Sequence, residues 1–77
     1  MPNIELDAFD RKILRVLQRD GKISMQELAE AAGLSTSPCW RRVRRLEQAG
    51  VIHKYAAMLD ARALGLQAVA YVQVSLL

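Results

Sequence analysis

One cysteine, Cys39, and one histidine, His53, are all that 77 residues contain of those two types. A lone thiol cannot close an internal disulfide, and one cysteine with one histidine falls short of a cysteine-rich metal site. His53 has no carboxylate or cysteine at ligand spacing, and Cys39 falls on an apolar helical stripe, which removes Ser37, Cys39 and His53 as a nucleophilic triad. An enzyme, a bound metal and a cofactor are therefore not expected. Aromatics are scarce, with one Phe, one Trp and two Tyr, so the core must be built from Leu, Ala, Val and Ile, which suits small packed helices. No apolar run reaches the roughly 20 residues of a membrane span. Met1 to Asp10 carries early acids in place of a leader's apolar segment. A soluble cytoplasmic protein with no membrane partner is expected.

What is present is a single small domain's worth of chain, 52% hydrophobic. A domain of this size buries only about 60% of the surface of its unfolded chain, so its modest core must be efficient. Net charge is only +3, yet four of the 11 basic residues fall within Arg41-Arg42-Val43-Arg44-Arg45. With those four set aside, seven basic residues face eight acidic ones. The positive charge is a patch, which favours a localised polyanion contact.

Along the chain, Asp7 reads as an N-cap, with Asp10 placing a second acid in the first turn. Phe9, Ile13, Val16 and Leu17 form one apolar stripe, while Arg11, Lys12, Arg15, Gln18 and Arg19 take the wet side. Asp20-Gly21-Lys22 breaks that helix. Ser24-Met25-Gln26-Glu27 is a capping box, with Ile23 and Leu28 as a hydrophobic staple. The helix it opens, Met25 to Ala32, buries Leu28, Ala29 and Ala32 and stops at Gly33. Ser35 or Ser37 caps the next helix, and Pro38 is tolerated in its first turn.

That third helix, Thr36 to Ala49, has a buried stripe of Cys39, Val43 and Leu46 and stops at Gly50. At about 100° per residue, Arg41 and Arg45 point directly away from the stripe, with Ser37 and Gln48 near them. Arg44 lies on one flank; Arg42 lies on the other, closer to the packed side. A helix whose outward face carries planar fixed cations is suited to phosphate or base edges. Helix, capped helix, glycine turn and arginine-bearing helix is the helix-turn-helix plan.

Beyond Gly50 the period changes. Val51 to Leu59 is β-branched and apolar enough for a strand, Asp60 to Gly65 reads as one helical turn, and Gln67 to Leu77 alternates as a second strand. The expected fold is mainly α: a three-helix winged helix-turn-helix domain followed by a β-strand pair.

The segments Leu6 to Leu14, Asp20 to Ser24, Gly33 to Ser35, Ser37-Pro-Cys-Trp-Arg-Arg-Val-Arg-Arg-Leu-Glu47 and Gly50 to Ile52 resemble the Lrp/AsnC family of transcription regulators. Tyr55 and Leu64-Gly65 fit that family's link between domains, and Ala70 to Val74 fits the first strand of its second domain. The resemblance implies a winged DNA-binding domain over 1–60, a hinge over 61–67, and over 68–77 the first strand of a ferredoxin-like effector domain. That effector domain has no further counterpart in this chain, so amino-acid sensing is expected of full-length members alone. Siroheme decarboxylases are similar to the family, but their chemistry belongs to the second domain.

Double-stranded DNA is the expected partner, bound by a homodimer or higher homo-oligomer because one recognition helix buries little surface. Thr36, Ser37, Pro38 and Arg41 are expected at base edges, and Arg44 and Arg45 on phosphates. Ser35 or Ser37 with the first amides could seat a phosphate. Arg42 is expected either to join them or to brace an acid such as Glu27 or Glu30. Trp40 is expected to pack half-buried, and Met25 and Met58 to serve packing; the competing reading of the arginine run is a solvated helix face on which Arg44 pairs with Glu47 or Gln48. The alternative is a protein-interaction module that docks through the Val69–Leu77 strand.

Overall fold

The computed structural model describes residues 4–65. Asp7 opens the first helix, α1 (Ala8–Arg19), through a reciprocal pair of bonds. Its carboxylate accepts from the Asp10 amide at 2.9 Å, and the Asp10 carboxylate accepts from the Asp7 amide at 3.2 Å. Two of the amides that every helix start leaves unpaired are thereby satisfied. At the other end the Asp20 carboxylate accepts from the Lys22 amide at 3.0 Å, which shapes the turn.

The second helix, α2 (Met25–Ala32), is capped by Ser24, whose hydroxyl accepts from the Glu27 amide at 3.1 Å and donates to the Glu27 carboxylate at 3.0 Å. Half of the expected box is formed: the Glu27 carboxylate meets the Ser24 hydroxyl in place of the Ser24 amide. Ile23 and Leu28, the expected staple, both join the core. Gly33 ends α2 at φ +77°, a left-handed conformation that costs glycine nothing. The amide of the following Leu34 returns to the Ala29 carbonyl at 2.8 Å. This turn sets the path into the third helix, α3 (Thr36–Gln48).

Ile13 from α1, Leu28, Ala29 and Ala32 from α2, and Cys39, Val43 and Leu46 from α3 form the core. These include the stripes expected of α2 and α3, and burial pushes the Cys39 thiol above its ordinary range, as befits a packed apolar group. Around them Leu14, Val16, Leu17, Met25 and Ile52 are partly buried. Phe9 stands at the edge, more exposed than an inner member of its stripe. Met58, expected to pack, is 94% exposed.

The strand expected over Val51–Leu59 is not formed among the described residues. The amides of Val51 and Ile52 both donate to the Leu46 carbonyl, at 3.0 and 3.1 Å, and so complete the last turn of α3. A strand also needs a neighbour to pair its backbone. The expected neighbour, residues 67–77, lies outside the described residues, as does the alternative docking strand Val69–Leu77. Asp60 to Gly65 makes the expected turn: the Leu64 amide returns to the Asp60 carbonyl at 3.2 Å, and Gly65 takes φ +71°.

Candidate nucleic-acid interface

The four clustered arginines divide into two pairs. Arg42 donates from one guanidinium nitrogen to both oxygens of Asp7, at 2.7 and 2.6 Å, and to Asp10 at 3.0 Å. Arg45 donates to the other Asp10 oxygen at 3.2 Å and to the Glu5 carbonyl at 2.9 Å. Asp10 is 1% exposed, and its charge is accommodated because two guanidiniums and a backbone amide surround it. The Arg42 hydrogen bonds hold the Asp7 carboxyl below its usual range, with help from the Asp10 amide; the same Asp7 bond holds the Arg42 guanidinium proton more tightly. Arg42 also lies over the Phe9 ring, 5.2 Å from its centre.

These contacts correct two sequence expectations. Arg42 does brace acids, but they belong to the start of α1 and not to Glu27 or Glu30. Arg45, expected to point straight outward onto phosphate, is turned toward the same site. The cause is geometric: the head of α1 lies beside the flank of α3 that carries both residues, and its two carboxylates are the nearest acids.

Arg41 and Arg44 remain exposed, and neither makes an ion pair among the described residues. Arg44 sits over the Trp40 ring at 5.3 Å from its centre instead of pairing with Glu47 or Gln48. Trp40 is 51% exposed, the half-burial expected of it, and it stands at the outer surface beneath the Arg44 guanidinium. Met25, Thr36, Ser37, Trp40 and Arg41 line a groove of about 400 Å³. Ser35 occupies the N-cap position of α3 but makes no side-chain cap bond, and Pro38 sits in the first turn, where it breaks no helical bond. Ser35, Thr36 and Ser37 are exposed beside Arg41. Glu47 is engaged elsewhere, accepting the Tyr55 hydroxyl at 2.9 Å. Burial of that phenol, together with the neighbouring carboxylate, pushes it up to about 12.

Three helices, a glycine-led turn and an outward basic face on the third are now in place. Residues 6–53 match the family model described as winged helix-turn-helix DNA-binding. The chain belongs to that family.

Within this winged helix-turn-helix family the chain falls in the Lrp/AsnC branch. It is 59% identical over 73 residues to the leucine-responsive regulatory protein of Rhizobium meliloti, covering 95% of this chain and 47% of that one. It is 48% identical over 67 residues to the DNA-binding transcriptional activator DecR of Escherichia coli, covering 87% and 44%. An AsnC family transcriptional regulator from Agrobacterium tumefaciens superposes with a TM-score of 0.74 at 47% identity, covering 77% of this chain and 39% of that one. LrpC of B. subtilis does so at 0.75 and 37% identity, covering 80% and 44%. The chain spans somewhat under half the length of the curated relatives it matches. These relatives are named as regulators of transcription or of a leucine response. Among the described residues no helix is long and apolar enough to cross a membrane.

The residue that sequence reasoning missed is Asp10, taken for a favourable first-turn charge. Its burial follows from an i, i+3 spacing with Ile13, which places both on the inner face of α1.

Proposed function

We propose that this chain binds double-stranded DNA through the outward face of α3, as the DNA-binding part of a transcription regulator. The observation that carries the reading is the division among the arginines. Arg42 and Arg45 dock α3 against α1, and that docking leaves Arg41 and Arg44 as free cations on a rigidly seated helix. Thr36, Ser37, Pro38 and Arg41 at the leading half of α3 are assigned to base edges, and Arg44 to a phosphate. The Ser35 hydroxyl, unused as a cap, is assigned to a phosphate at the helix start. Arg42 and Arg45 are positioning residues in this scheme.

Two half-sites read by a homodimer supply the selectivity that one helix lacks. Residues 1–60 are assigned to DNA binding, 61–67 to a hinge and 68–77 to the opening strand of an effector domain. No cofactor is needed for this mode of binding, and its setting is the cytoplasm. Titration against a labelled duplex tests the reading. Dissociation constants on the order of 10⁻⁴–10⁻⁶ M that weaken steeply with salt are expected. Absence of binding at low salt, or binding indifferent to salt, overturns it.

A further inference from the structure

Half of the charge that the sequence concentrates in α3 is cancelled there, and a second row of unpaired charge lies on α1. Two of the four α3 arginines are ion-paired. By contrast Arg11, Lys12, Arg15 and Arg19 are all exposed, and none forms an ion pair among the described residues. The one acid on α1, Asp10, is buried and spent on Arg42 and Arg45. Arg11, Arg15 and Arg19 recur at every fourth position, so they form one ridge with a step of about 6 Å along the helix axis. The ridge faces away from Asp10 and Ile13, the residues α1 buries against the rest of the domain.

We propose that this ridge is a second polyanion-binding surface, whose ligand is the phosphate backbone of a second duplex segment, so that one domain holds two pieces of DNA. The proposal rests on the DNA-binding reading of α3. Both helices bury their inner faces in one shared core, so their outer faces look in different directions. One straight duplex seated on α3 therefore leaves the ridge unoccupied. A row of guanidiniums fits a regular line of phosphates, whose contacts need no base sequence.

The chain's own acids do not offer a matching surface on a second copy. Asp7 and Asp10 are held by arginines, Glu27 by Ser24 and Glu47 by Tyr55. Those left, Glu5, Asp20, Glu30 and Asp60, lie on four separate stretches of chain.

The test is capture of a fluorescent duplex by an immobilised one through the protein, at low salt. Both duplexes are roughly 30 base pairs, too short to fold back given a persistence length of about 150 base pairs. The wild-type chain should bind a single duplex and also bring the second one down. The triple variant Arg11→Gln, Arg15→Gln, Arg19→Gln should lose at least about tenfold in capture while its single-duplex titration moves by less than about twofold. The corresponding triple lysine variant should keep the capture, which separates charge from folding. If the wild type binds one duplex without capturing another, or if the glutamine variant captures as well as the wild type, the ridge has no such role. An equal loss of single-duplex binding in the glutamine variant also overturns it, by placing the ridge on the same surface as α3. Failure of the wild type to bind any duplex is a different result, and it removes the α3 reading.

Discussion

Arg42 and Asp10, 32 residues apart in sequence, meet at 3.0 Å in a cluster that fastens the recognition helix to the head of the first. The carboxylate is buried, the Arg42 side chain mostly covered, and a second arginine completes the site. The seat of α3 is thus electrostatic on one side and apolar on the other. Its outward cations inherit their direction from that seat.

Removing Arg42 should therefore cost stability more than a surface arginine does. Arg42→Ala leaves the buried Asp10 carboxylate short of a donor, a loss of about 1–3 kcal/mol. Arg41→Ala, at an exposed position without a partner, should stay within about 0.5 kcal/mol of the wild type. Urea denaturation followed by circular dichroism measures both. Equal midpoints for the two variants would show that the clamp contributes nothing.

Acid should release the same clamp. The Arg42 hydrogen bonds depress the Asp7 carboxyl below its ordinary 3.8. A depressed folded value means that the contribution is complete above 3.8 and is lost as pH falls through the lower folded value. Asp7→Asn keeps a capping side chain but cannot ionise. Its deficit against the wild type should be constant at neutral pH and shrink below about pH 4. Thermal melts across that range decide it; a deficit independent of pH refutes the linkage.

Base selection and phosphate affinity should separate between Arg41 and Arg44. Arg41→Ala should lower discrimination between duplex sequences by about 1–3 kcal/mol. Arg44→Ala should weaken all sequences alike and reduce the salt slope by about one unit. Competition titrations at several salt concentrations distinguish the two. Identical profiles would dissolve the assignment.

Trp40 is the chain's one tryptophan and lies beside both outward arginines. Its emission should change on addition of duplex DNA. Trp40→Ala frees the Arg44 guanidinium from its ring and should weaken binding about two- to fivefold. Unaltered emission at saturating duplex would place the bound DNA elsewhere.

Gly33 turns α2 into α3 at φ +77° with open space where a Cβ would stand. Gly33→Ala should then cost about 1–2 kcal/mol from backbone conformation alone, without steric repacking. Denaturation midpoints test this, and an unaffected midpoint contradicts it.

Much of the domain could be read directly. Asp7, Ser24, Gly33 and Gly50 punctuate three helices, and the stripes Leu28–Ala29–Ala32 and Cys39–Val43–Leu46 are buried as the helical period requires. These are local signals, carried by residues within a turn or two of each other. The strand expected over Val51–Leu59 is not formed among the described residues: β-branched composition says nothing about whether a partner stands beside it, and the Leu46 carbonyl claims its first amides.

By itself the sequence determined where the helices start and stop, which stripe of each is apolar, and that four arginines share one helix. Those properties depend on backbone preference and on a fixed angle per residue. Only the tertiary structure decided which arginines are free. Helical spacing ranks Arg45 beside Arg41 as an outward residue, yet Arg45 reaches Asp10 and the Glu5 carbonyl, whereas Arg41 reaches no acid among the described residues. A guanidinium on a long side chain settles on whichever carboxylate the packing of other helices brings within its reach, and no spacing along one helix contains that distance.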